Sequence, residues 1–248
     1  MDQNTNRRQI LRWLALVFLV SLVFRVLWVF LTESYSHVDG DSVCRLSATK
    51  AFVVGELDFF TSVHWLPLHF TILAIPSYLG VPLELGGRLL TAILGAGLCL
   101  LSYVWNRQFL SSRTAIVAAL SFALWPQSIY LSSMALSEIP FVLFLLGGVL
   151  SLTRVSPSSR PLFWLYVSAI LFTASNMIRF EGWLWSLVFS FALLVPSPHI
   201  PHTEKRDSWL RLALLWGLIA IYPLYSMMIS AWKNQGDPTL FQDPKRIY

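Results

Sequence analysis

The sequence predicts an all-α, polytopic membrane protein, and three observations predict it. Of 248 residues 56% are hydrophobic and 12% charged, against about 25% charged in an average soluble protein; mean hydropathy is +0.62. Apolar runs near the ~20 residues that span a bilayer as helix recur along the whole chain. Between those runs, basic and acidic residues fall into different loops, as a chain threaded through a membrane requires. In such a protein a net charge of +5 reports topology, and no nucleic-acid partner is expected. The two cysteines, Cys44 and Cys99, make neither a disulfide framework nor a metal-ligand spacing.

The first apolar run, 10–31, follows Arg7 and Arg8 and begins around Arg12. It is too long for a secretory h-region and no small-residue cleavage site follows, so it reads as a retained signal-anchor helix. Next comes the polar loop 32–65, with Glu33, Asp39 and Asp41 within nine positions. Inside it, 42–54 has helical character: Asp41, Arg45 and Thr49 share one face, and Val43, Leu46 and Val53 lie nearer the other. That pattern predicts a short helix lying in the membrane interface, apolar side down. The run 66–79 has only about fourteen residues, including Pro67 and Pro76. Further runs follow at 86–105, 114–131, 139–153, 162–178, 183–195 and 209–232.

Charge placement then gives a topology. Suppose 66–79 dips into the membrane, or packs along it, without crossing. The N-terminus then shares a side with loops 106–113 (Arg107, Arg113), 154–160 (Arg154, Arg160) and 199–211 (Lys205, Arg206, Arg211). The other side collects Glu33, Asp39, Asp41, Glu56, Asp58, Glu84, Glu138, Glu181, Asp237 and Asp243, ten of the thirteen acids. A crossing at 66–79 would instead turn two basic loops outward, against the positive-inside bias. The expected architecture is therefore a single transmembrane domain over 1–248 with about seven spans, one short non-crossing segment and an outer first loop. Its N-terminus is cytoplasmic, in the cell membrane of a prokaryote or the endoplasmic reticulum of a eukaryote. The polar segment 234–246 resembles the start of another outer loop, as in a truncated or minimal version of a longer protein.

In this arrangement Asp39, Asp41, Glu138, Arg179 and Glu181 emerge on one face, the non-cytoplasmic one. Carboxylates beside a membrane helix are costly to hold near hydrocarbon and usually serve a pathway or a reaction. Asp41 falls at or just before the start of the interfacial helix, where it either caps the unpaired N–H groups or acts chemically. Glu138 opens a helix, where an acid is also welcome on electrostatic grounds alone. Arg25, inside the first run, is expected to snorkel outward or to pair with a loop acid.

Several motifs carry a resemblance. The acidic pair Asp39-Gly40-Asp41 is followed by Arg45, Ala48, Gly55 and then Trp65-Leu66-Pro67-Leu68. Further on stand Trp125-Pro126, Leu136-Ser137-Glu138-Ile139-Pro140 and Asn176-Met177-Ile178-Arg179-Phe180-Glu181-Gly182. In this order they resemble the GT-C glycosyltransferases, in particular the bacterial and archaeal members related to protein O-mannosyltransferases and aminoarabinose transferases. The likeness covers about 32–187. The family's acidic doublet is spread here over three positions, and Phe180 stands where proline is frequent.

The resemblance implies an inverting transfer of a sugar from a polyprenyl-phosphate donor to a lipid, glycan or protein acceptor at the outer membrane face. Because lipid phosphate is already a good leaving group, such a reaction needs a base for the acceptor proton and cations for the departing phosphate. Asp41 or Asp39 is the expected base, with Glu138 as a further acid. Arg179, then Arg45, Lys50 and Arg88, are the phosphate candidates, since a planar guanidinium matches phosphate oxygens. Arg179 could equally pair with Glu181 or Glu138, and Arg88 could anchor a helix end. His64 and His69, flanking Pro67, are placed to touch donor or acceptor. No metal site is expected, although Asp39 and Asp41 leave room for a divalent cation. The competing reading is a polytopic transporter or lipid flippase, which would call for ionisable residues at mid-membrane depth or two related halves with broken helices.

Overall fold

The computed structural model describes residues 3–32, 39–56, 66–155 and 160–194, together with positions 213, 216, 217 and 219. Among the described residues the chain is helical and has no strand. Its helices are α1 (Gln3–Leu31), α2 (Gly40–Val53), α3 (Pro67–Tyr78), α4 (Leu83–Asn106), α5 (Ser112–Leu124), α6 (Pro126–Ser133), α7 (Glu138–Thr153), α8 (Pro161–Asn176) and α9 (Glu181–Leu194). The run 209–232 lies outside the described residues except for positions 213, 216, 217 and 219, which are helical.

By length and apolarity α1 and α4 can each cross a membrane, and α7 and α8 are shorter apolar helices. The run 114–131, expected as one helix, is two: α5 and α6 meet at a 58° bend and make a third span only as a pair. The break has a chemical cause, since Pro126 lacks the N–H that would continue α5, and Trp125 before it is extended (φ −65°, ψ 123°). The twelve residues of α3 reach about 18 Å, well short of the ~30 Å hydrocarbon core.

Two compact units emerge, 1–56 with 70–143 and 57–69 with 144–248. In the first, α4 is the hub, packing against α1, α5, α6 and α2. Its buried positions Gly87, Thr91, Gly95 and Cys99 recur every fourth residue, with Ala92 and Ala96 beside them. A stripe of small residues lets helices approach closely where hydrocarbon offers no hydrophobic drive between them. Gly95 shows how close: a Cβ there would strike the Cβ of Ser132 on α6. On α1 the inward stripe is Val17, Ser21, Arg25 and Val29, while Leu19, Val23, Phe24, Leu27 and Phe30 face outward. That outward surface suits lipid.

Arg25 corrects an expectation. It does not snorkel, and among the described residues it pairs with no acid; it is fully buried. One of its terminal nitrogens donates to the Ala123 carbonyl (3.0 Å) and to Ser21 Oγ (2.5 Å), and the other to Ser128 Oγ (2.7 Å). The α5–α6 bend provides the reason. A helix that ends early leaves carbonyls without intrahelical partners and a partial negative charge, and a cation from a neighbouring helix meets both.

In the second unit α8 packs against α9. Phe172 is fully buried, with Trp216 edge-on at 5.0 Å and Phe189 tilted at 5.1 Å. Ser168 Oγ donates to the Gly148 carbonyl of α7 at 2.9 Å, so the buried hydroxyl is satisfied.

Candidate active site

The aspartate pair occupies the start of α2, and its two members have different surroundings. Asp39 is the N-cap: its Oδ1 accepts from the Ser42 amide at 3.0 Å, from an extended backbone. Its Oδ2 accepts from the Tyr130 hydroxyl at 2.8 Å. Burial would raise the carboxyl of Asp39, but the Ser42 amide, the Tyr130 hydroxyl, the Asp41 amide and the nearby Arg45 outweigh it and hold it below the usual carboxylate range. The capping role considered for Asp41 therefore falls to Asp39.

Asp41 sits inside the first turn of α2, and its Oδ2 receives the Arg45 Nε–H at 2.8 Å. Its side chain is 37% exposed while that of Arg45 is 7% exposed. The inward face of α2 is the polar one, Ser42, Arg45 and Thr49, while Val43, Leu46 and Val53 are only partly buried. Each buried polar group has a partner: Ser42 Oγ accepts from the Ala135 amide (3.3 Å), Arg45 meets Asp41, and Thr49 donates to the Arg45 carbonyl (2.7 Å). Satisfied in this way, a polar face costs little to bury. Lys50 is exposed in the last turn.

Arg88, on α4, is buried and donates to the Ser133 carbonyl at 2.9 Å and to Thr32 Oγ1 at 2.6 Å. Those partners lie just past α1 and at the end of α6, so Arg88 anchors helix ends, one of the two roles weighed for it. Glu138 is half-buried in the first turn of α7.

In the second unit the stretch 176–182 forms the turn between α8 and α9. Arg179 and Glu181 make a two-pronged ion pair, Nη2 to Oε1 at 2.7 Å and Nε to Oε2 at 3.2 Å. Their side chains are 25% and 54% exposed. Asn176 ties the turn, its carbonyl accepting from Trp183 Nε1 (3.0 Å) and its Oδ1 from Ser186 Oγ (2.8 Å). Gly182 has to be glycine, because a Cβ would sit 2.9 Å from the Asn176 backbone nitrogen. The amide of Leu68 donates to the Met177 carbonyl at 3.0 Å, which brings the Pro67 motif to the same turn. His69 is buried one residue on; His64 lies outside the described residues.

The structure thus groups Asp39, Asp41 and Arg45 in one unit, and the 66–69 segment with Arg179 and Glu181 in the other. It also supplies a residue the sequence reading missed, Tyr130. The available signal was the cluster Gln127, Ser128, Tyr130, Ser132 and Ser133 just after Pro126, a polar patch in an apolar run. A cation bridging Asp39 and Asp41 would meet oxygens that already accept from Ser42, Tyr130 and Arg45. Among the described residues no group of three His, Cys, Asp or Glu side chains gathers.

The family model for dolichyl-phosphate-mannose-protein mannosyltransferases matches residues 66–226, more than half of the chain. The chain belongs to this mannosyltransferase family. The fold agrees: the solved S. cerevisiae protein O-mannosyltransferase Pmt1-Pmt2 complex, bound to the sugar donor, superposes with a TM-score of 0.65 at 17% identity. The match covers 92% of this chain and 34% of that one, so the chain spans about a third of its length. No curated protein sequence matches. The resemblance to GT-C glycosyltransferases of the O-mannosyltransferase type therefore holds, and with it an all-helical membrane protein from a family of sugar-transferring enzymes. Arg88, Glu138, Arg179 and Glu181 lie within the family match, whereas Asp39 and Asp41 precede it. The roles of the two aspartates are argued from their own geometry.

Proposed function

We propose that the chain is a multi-pass glycosyltransferase with a cytoplasmic N-terminus. It moves a sugar from a polyprenyl-phosphate donor, dolichyl-phosphate mannose or a relative, to a lipid, glycan or protein acceptor at the non-cytoplasmic face. Asp41 is the general base. One observation carries this assignment: of the two aspartates, Asp39 has both oxygens engaged, with the Ser42 amide and the Tyr130 hydroxyl, while the bond to Asp41 is to one oxygen, from a nearly buried arginine that orients it.

The chemistry follows from these positions. Asp41 takes the proton of the acceptor hydroxyl as its oxygen attacks the anomeric carbon. The bond from that carbon to the phosphate oxygen breaks on the opposite side, so configuration inverts and the electron pair leaves with the lipid phosphate. Arg45 keeps the Asp41 carboxylate in one orientation by its 2.8 Å bond, and fixed orientation is a large part of what a general base contributes. Within the second unit, Arg179 is our candidate for binding a phosphate group, since its guanidinium is a quarter exposed.

The test is consumption of radiolabelled dolichyl-phosphate mannose by the full chain in its membranes. Asp41→Asn should lower turnover by about 100-fold or more, the usual contribution of a positioned base, and Asp39→Asn should cost less. Wild-type turnover from Asp41→Asn would remove the base from this mechanism.

A further inference from the structure

The N-terminus of α2 is tied to the rest of its unit at two points, and both ties come from α6 and the residues after it. Tyr130 donates its hydroxyl to Asp39 across 91 positions of sequence (2.8 Å), and the Ala135 amide donates to Ser42 Oγ (3.3 Å). The far end of α2 is held separately, by Phe52 against Phe70 with ring centroids 5.0 Å apart. Asp41 lies between Asp39 and Ser42, in the turn that these two ties hold.

α6 in turn is held by two buried cations. Arg25 reaches Ser128 Oγ at 2.7 Å near its start, and Arg88 reaches the Ser133 carbonyl at 2.9 Å at its end. The helix has only eight residues and its outer side is open to the surroundings at Pro126 and Gln127. Tyr130 is half-buried between these two clamps. Of the described hydrogen bonds, its hydroxyl makes the one that runs from a side chain of this clamped helix to the acidic pair.

We propose that Tyr130 is a positioning residue for the transfer reaction: its hydroxyl, holding Asp39, sets the first turn of α2 and with it the carboxylate of Asp41. This rests on the reading of Asp41 as the base. Tyr130 touches neither proton nor sugar in this scheme and acts only through Asp39.

The chain carries its own reporters for the test. Of its two cysteines, Cys44 is exposed on α2 and Cys99 is buried in α4. The full chain in its membranes is compared with Tyr130→Phe, which keeps the ring and removes the hydroxyl, and with Asp39→Ala. Alkylation of each cysteine by a maleimide is followed alongside consumption of radiolabelled dolichyl-phosphate mannose. Tyr130→Phe should speed Cys44 alkylation several-fold, leave Cys99 protected, and lower kcat about tenfold or more with KM for the donor within twofold, as loss of a bond to a charged group predicts. Adding Tyr130→Phe to Asp39→Ala should change little further. Unchanged Cys44 reactivity, or equal acceleration at Cys99, overturns the tie. Faster Cys44 alkylation with full turnover overturns its role in catalysis. Wild-type turnover from Asp41→Asn, with Cys44 still faster in Tyr130→Phe, would instead bring down the base and leave the tie standing.

Discussion

Asp39 accepts from an amide at the start of its own helix and from a tyrosine hydroxyl 91 positions away, and those donors favour its ionised form. A carboxyl whose folded value is depressed adds stability above the unfolded range, near pH 3.9, and loses it as the pH falls through the folded value. Thermal unfolding of the purified chain in detergent should therefore show an acid-side loss of stability that shrinks in Asp39→Asn; an identical pH profile in that variant would contradict the hydrogen bonds described. The sequence showed two aspartates flanking a glycine and left open which was cap and which was base. Spacing alone cannot separate them, because either position can precede a helix. The extended backbone at Asp39 and its bond to the distant Tyr130 show which of the two is the cap. Arg179 is a similar case: its fork onto Glu181 was one of the pairings weighed, and only the turn geometry at 176–182 shows that it forms.

At the scale of elements, the α5–α6 bend organises the first unit. Hydropathy reads 114–131 as one run because its apolar residues outweigh Trp125, Pro126 and Gln127 in the average, while the missing N–H of Pro126 breaks the hydrogen-bond ladder regardless. Arg25 meets the resulting carbonyl of Ala123 and the hydroxyl of Ser128. Arg25→Met should leave these buried acceptors and donors unmatched and destabilise the chain by about 1–3 kcal/mol, read as a lower unfolding temperature in detergent. A variant as stable as the parent would show that the guanidinium is not what holds the bend. The residues after α6 also bear on α2. An amphipathic pattern says which face is apolar, but a polar face supplied with donors and acceptors can be buried, and the Ala135 amide with groups of α2 itself supplies them here.

The whole molecule is a membrane protein whose charges sort by loop, and the proposed arrangement puts the N-terminus in the cytoplasm with loop 32–65 opposite. Cys44 also reports this. A membrane-impermeant maleimide added to intact cells should label Cys44, while a tag fused to the N-terminus should be reached only after permeabilisation. Cys44 labelled only after permeabilisation would reverse the orientation and place the aspartates beside the wrong lipid leaflet for the proposed transfer.

By itself the sequence determined the material of this protein: the apolar runs and their order, a short third helix, and the family motifs. Those properties are local, since hydropathy, proline position and charge are written residue by residue. Tertiary structure alone decided which face of α2 is buried, that Asp39 is the cap, and that Arg25 and Arg88 reach the ends of neighbouring helices. The outcomes at α2, Arg25 and Arg88 depend on partners brought near only by folding. A charged or hydroxyl group goes inside when its hydrogen-bonding counterpart is already there, and nothing in its own neighbourhood of sequence announces that counterpart.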